Sequence, residues 1–87
     1  MSFIQDLADK LAQDVLDSQA ELADDAFYEQ VSRVLGAASP TLQEAYMTSI
    51  RIRLAERRGR DFLTRAIKAK REGGKAPDAP RDLSAGH

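Results

Sequence analysis

The sequence contains no cysteine and no tryptophan, and its one histidine is His87. Without cysteine there is no disulfide, no thiolate metal site and no thiol nucleophile. With the only imidazole on an expected flexible tail, neither a Ser-His-Asp nor a Cys-His arrangement can be assembled. Glycine is sparse, and Gly73-Gly74 follows a helical segment instead of leading into one, so no phosphate-binding loop is present. The EF-hand loop pattern is also missing. No apolar run approaches the ~20 residues that span a bilayer. Met1-Ser2-Phe3-Ile4-Gln5-Asp6 lacks the basic segment of a secretion signal. These absences lead to the expectation of a cytoplasmic, non-enzymatic protein without metal, cofactor or membrane partner.

What is present is a short chain of 87 residues, 43% of them hydrophobic, which is enough to oppose wholesale disorder. Ser2 and Gln5 match a capping box, and Ile4, Leu7, Ala8, Leu11, Ala12 and Val15 then recur at helical spacing. Ser18-Gln19-Ala20-Glu21 is a second capping match, and Asp24 and Asp25 are further N-cap candidates. The spacing predicts a break between 18 and 25 and a second helix with Phe27, Val31, Val34 and Leu35 on its buried face. Gly36 is expected at C′, just past the end of that helix, where positive φ costs little.

Ser39-Pro40 is the clearest local signal, since Ser caps and Pro tolerates the first helical position. Leu42, Tyr46, Met47, Ile50 and Leu54 form one stripe after it. A second apolar group, Phe62, Leu63, Ala66, Ile67 and Ala69, is centred roughly 150° around the same helix at ~100° per residue. One straight helix cannot aim both groups at one core. A bend or break is therefore expected at 58–61, near Gly59 and Asp61, with a fourth helix over about 62–72. Thr48 to Leu54 also alternates with period two, a strand pattern like that opening a ribbon-helix-helix DNA binder. Only one helix fits between it and Gly73-Gly74, which disfavours that fold. The expected fold is all-α: a small bundle of three to four short helices over residues 1–72, with a flexible, disordered tail over 73–87.

The net charge of −1 conceals two opposed halves. Residues 1–44 carry nine acids and two bases, a balance of −7, whereas residues 45–87 carry eleven bases and five acids, a balance of +6. Such halves can neutralise each other within or between subunits, or the basic half can present an anion-binding face. The acids Asp14, Asp17, Glu21, Asp24 and Asp25 are dense, and a solvated acidic face accounts for them better than a metal site. Gln30 to Tyr46 loosely resembles a helix-turn-helix motif, with Val31, Leu35, Leu42 and Ala45 at its apolar positions and Gly36 in its turn. In that reading Thr41, Gln43 and Glu44 face the groove, and Gln43 suits adenine.

Two functional expectations follow. The first is a small interaction protein (an adaptor, accessory subunit or regulator) that docks an apolar helix face flanked by charge onto a protein partner. About twenty large apolar residues make a marginal core, so self-association as a homodimer is expected, with Phe3 and Ile52 as contacts. The alternative is a nucleic-acid-binding regulator that uses Arg51, Arg53, Arg57, Arg58 and Arg60, with Gln43.

Overall fold

The computed structural model describes residues 2–80. The chain is all-helical, with α1 over Phe3–Leu22, α2 over Phe27–Ala38 and α3 over Pro40–Arg71. It divides into two compact units, the first running to Ala55 and the second starting at Glu56.

Ser2 caps α1 as its spacing predicts, with its Oγ accepting from the Gln5 N–H at 2.9 Å. The break expected between 18 and 25 falls after Leu22, in the later part of that range, and not at Ser18. The Ser18 Oγ donates to the Asp14 carbonyl at 2.7 Å, so the hydroxyl bonds back along the helix and caps nothing. The helix ends at Ala23, which takes a left-handed conformation (φ 54°). There the Ala23 N–H donates to the Ala20 carbonyl and the Asp24 N–H to the Gln19 carbonyl. This pair of bonds satisfies two of the last carbonyls, although alanine carries a Cβ penalty there that glycine would avoid. Asp24 then holds the turn, its carboxylate accepting from the Ala26 N–H and from the Gln30 Nε2, both at 3.0 Å.

The helix α2 runs past Gly36 to Ala38, so Gly36 is a helix-interior residue and not the terminator the sequence suggests. Ser39 is the whole connection between α2 and α3, and it serves both. Its N–H donates to the Leu35 carbonyl at 2.6 Å, closing α2, and its Oγ accepts from the Leu42 N–H at 3.1 Å, opening α3. Pro40 follows at the first helical position, where no N–H is needed. Phe27, Val31 and Leu35 pack against the core as expected, but Val34 is 70% exposed.

The core of the first unit comprises Ala8, Ala12, Val15 and Leu16 of α1 with Tyr46 and Ile50 of α3. Leu42, Met47 and Leu54 border it, so the stripe expected on α3 is the one that meets the core. The segment 48–54 is helical and the strand pattern is not realised. Each large side chain removed from water there contributes about 1.5–3 kcal/mol.

The expected break at 58–61 and the separate fourth helix are absent, because α3 is continuous through Gly59. An interior glycine costs a helix only about 1 kcal/mol relative to alanine. On either side of it the helix carries i,i+4 ion pairs, Glu56–Arg60 at 2.7 Å and Asp61–Arg65 at 3.0 Å. Asp61 is therefore an ion-pair partner within the helix and not a cap. The phase conflict between the two apolar groups is resolved differently: Phe62, Leu63, Ala66 and Ile67 simply do not join the core cluster.

At its C-terminal end α3 closes on Gly73 (φ 72°), with the Gly73 N–H donating to the Lys70 carbonyl and the Gly74 N–H to the Ala69 carbonyl. Residues 74–80 have no regular secondary structure. The remainder of the expected tail, 81–87 with His87, lies outside the described residues.

A Cβ at Gly59 would meet nothing within 4 Å. Gly59→Ala should therefore strengthen α3 by about 0.5–1 kcal/mol. The expected readouts are more helical ellipticity and slower amide exchange over 56–71. No change in either would mean that the chain is already broken there.

Candidate interaction surfaces

Three amides and hydroxyls tie the helices of the first unit together. Gln19 lies on the buried stripe of α1, and its Oε1 accepts from the Tyr28 N–H at 3.0 Å. It thereby supplies the side-chain cap that Ala26, the N-cap position of α2, cannot provide. The Tyr46 hydroxyl donates to the Tyr28 carbonyl at 3.1 Å. Tyr46 is fully buried, and this desolvation, with a smaller contribution from nearby Tyr28, pushes its phenol up from 10.0 to about 12. The Gln43 Nε2 donates to the Ser32 carbonyl at 2.8 Å and lies 3.3 Å from the Ser32 Oγ. Gly36 makes room for it, because a Cβ there would stand 2.5 Å from the Gln43 Nε2.

This geometry bears on the helix-turn-helix likeness. Such motifs join their helices by a turn of three or four residues, whereas only Ser39 separates α2 from α3. Gln43, the residue suited to adenine, is turned onto α2. Thr41 and Glu44 are exposed.

The arginines fall into distinct settings. In the first unit, the Arg53 Nε donates to the Ser49 Oγ at 3.1 Å and its Nη2 to the Asp9 carbonyl at 3.3 Å, bridging α3 to α1. Arg51 is exposed. In the second unit, Arg60 forks onto Glu56 and Arg65 pairs with Asp61. Arg58 is exposed, and Arg57, although exposed, also has a partner.

The apolar surface is larger than the sequence suggested. Among the described residues six hydrophobic side chains form the buried core, while eight large ones are exposed. In the first unit these include Phe3 (75%) and Ile52 (64%), the two expected self-association contacts. Ile52 borders a shallow groove of about 310 Å³ with Gln5, Asp9, Ser49 and Arg53. In the second unit Leu63 (52%) and Ile67 (40%) are exposed beside half-buried Phe62 and Ala66. Three- and four-residue spacing places these four on one face of α3. A hollow of about 430 Å³ runs beside Ile67, along Thr64, Lys68, Arg71 and Glu72.

Sequence reasoning assigned Gln19 to a capping box. Its spacing from Ala8, Ala12 and Val15 already marked it as a polar residue on an apolar stripe, which calls for a buried hydrogen bond. Among the described residues, no three carboxylate or imidazole groups converge as a metal site would need. No helix among them is long and apolar enough to cross a membrane. No protein-family model matches the chain, and comparison with curated proteins and with solved structures gives no match.

Two expectations follow from the junction. Gly36→Ala should destabilise the first unit by about 1 kcal/mol, because it displaces the Gln43 amide from Ser32. In a Gln43→Ala background the same change should stabilise by about 0.5–1 kcal/mol, through helix propensity alone. A double-mutant cycle by urea unfolding checks this sign reversal.

The second concerns alkaline pH. The folded state holds the Tyr46 proton up to about 12, while the unfolded chain releases it near 10.0. The stability linked to Tyr46 is thus fully present below pH 10.0 and is lost as pH rises towards 12. Tyr46→Phe should remove that part of the alkaline fall in Tm, together with the latest phase of the 295 nm absorbance titration.

Proposed function

We propose that this chain is a small non-enzymatic interaction protein that docks an apolar helix face, bordered by charge, onto a protein partner. The observation that carries the reading is the second-unit face of Phe62, Leu63, Ala66 and Ile67. It is contiguous, lies outside the core cluster, and has two of its four members exposed. Isolated exposed apolar residues are ordinary, but a contiguous stripe rimmed by charge is the usual form of a docking surface. Arg58 and Arg65 border it on one side and Arg60 and Arg71 on the other. Helix-in-groove recognition uses the same i, i+3, i+4 anchors.

The absence of a thiol, and of any imidazole before residue 87, supports the non-enzymatic reading. The raised phenol of Tyr46 is likewise explained by burial in a structural hydrogen bond to the Tyr28 carbonyl, which is a packing role and not a catalytic one. The nucleic-acid alternative draws on the exposed Arg51 and Arg58, but Gln43 and Arg53 already make contacts within the chain.

A photo-crosslinking amino acid placed at Ile67 in cells that make the protein tests the reading. Protein adducts should form at position 67 and fall away when Leu63→Asp is added. Adducts to nucleic acid alone, or none to protein, would refute the docking role.

A further inference from the structure

The second-unit stripe carries enough chemistry to specify its occupant, and this step rests on the docking role proposed above. Between Glu56 and Arg71, α3 carries seven basic residues against two acids, and both acids are held by Arg60 and Arg65. Whatever covers Phe62, Leu63, Ala66 and Ile67 must therefore bring carboxylates beside an apolar line. The same stripe of another α3 does not qualify, because it would set arginines against arginines, and like charges across an interface are costly. Nucleic acid would neutralise the arginines but leave the aliphatic stripe uncovered, and Phe62 is the only aromatic ring there for a base to stack on.

The outer side of α1 has the complementary make-up. This helix buries Ala8, Ala12, Val15 and Leu16, yet Phe3, Ile4 and Leu7 are exposed along one edge of that stripe. Leu22 continues the same edge at the far end of the helix and is also exposed. Flanking that edge are Asp6 and, two turns on from Leu7, Asp14, and α1 as a whole holds five acids against the single base Lys10. Lys10 is itself paired with Asp14 at 2.7 Å, so it offers little to repel a basic partner. Each apolar line is about one and a half helical turns long, so the two can lie side by side.

We propose that the stripe Phe62–Leu63–Ala66–Ile67 of one copy docks against the Phe3–Ile4–Leu7 edge of α1 in a second copy. In an antiparallel arrangement, with Ile67 near Leu7, Arg58 and Arg65 of the first copy then face Asp14 and Asp6 of the second. The opposed charge of the two halves of the sequence becomes the device that sets which helix meets which. The apolar lines supply the adhesion, and the exposed charges fix orientation and exclude the α3–α3 pairing.

Because the chain has no cysteine, engineered thiols report on this directly. Leu7→Cys and Ile67→Cys chains, one carrying a mass tag, are mixed and mildly oxidised. The mixed L7C–I67C disulfide should form at least tenfold faster than either homotypic one. Predominance of I67C–I67C dimers, or no cross-linked dimer at all, would overturn the proposal. So would a concentration-independent monomeric disulfide in the double L7C/I67C chain, which would place the edge against its own stripe. Loss of the cross-link on adding mixed-sequence RNA at unchanged salt would also count against it.

A charge exchange gives a second readout that keeps native side chains at the apolar positions. Arg58→Glu with Arg65→Glu should weaken the dimer at least tenfold by sedimentation, and adding Asp14→Lys with Asp6→Lys to the same chain should restore it. Failure of the restoration, with helical ellipticity intact, would overturn the pairing. The Ile67 photo-crosslink separates the two levels of inference. Adducts only with a different protein would remove self-docking and leave the docking role standing, whereas no protein adduct would remove both.

Discussion

A helix turns about 100° per residue, so the direction in which a side chain points is fixed by its position in the count. This constraint governs α3. Its first apolar group, from Leu42 to Leu54, meets the core, with Tyr46 and Ile50 wholly removed from solvent. Its second group, from Phe62 to Ile67, is out of phase with the first. A break would have allowed both to serve one interior. The helix remains intact instead, held by Glu56–Arg60 and Asp61–Arg65, and the second group is left outside the core. The docking role proposed above grows from that unrelieved mismatch.

Within the first unit, the weak points of the backbone are covered by side chains from elsewhere. The end of α1 relies on a left-handed alanine, and the start of α2 has no cap of its own. Gln19 reaches from one helix to the other and supplies the missing acceptor. The same economy appears at Gly36, whose lack of a Cβ lets the Gln43 amide reach the Ser32 carbonyl. Each is a part-buried polar contact whose partner comes from a different helix, so each specifies how the helices are arranged as well as adding stability. Among the described residues no buried side-chain nitrogen or oxygen is left without a partner.

The helical class, the Ser2 and Ser39 caps and the core stripe of α3 were legible in the sequence, because each rests on local spacing. The extent of the helices was harder to read. Ser18 has the look of a cap, but a hydroxyl can equally bond back to the carbonyl four residues earlier, and here it does. Gly36 has the look of a terminator, yet its small size serves a contact with a residue seven positions on. Gly59 has the look of a hinge, but a single glycine is too small a penalty to stop a helix carrying ion pairs on both sides. Of the suggested surface residues, Phe3 and Ile52 are exposed as the spacing implied, while Arg53 and Gln43 turn inward to partners that no local pattern announces. The stripe at Phe62 was visible as a pattern, but its lack of a core could only be seen once the helix was known to be unbroken.

The one-residue link at Ser39 also limits how this chain can vary. Since that residue is engaged by both helices, the segment between Leu35 and Leu42 has no slack in which to absorb an insertion. One extra residue there would spin everything downstream by more than a quarter turn and carry Tyr46 and Ile50 off target. Lineages of this protein should therefore tolerate many exchanges of side chain around the junction, but not a change in its length.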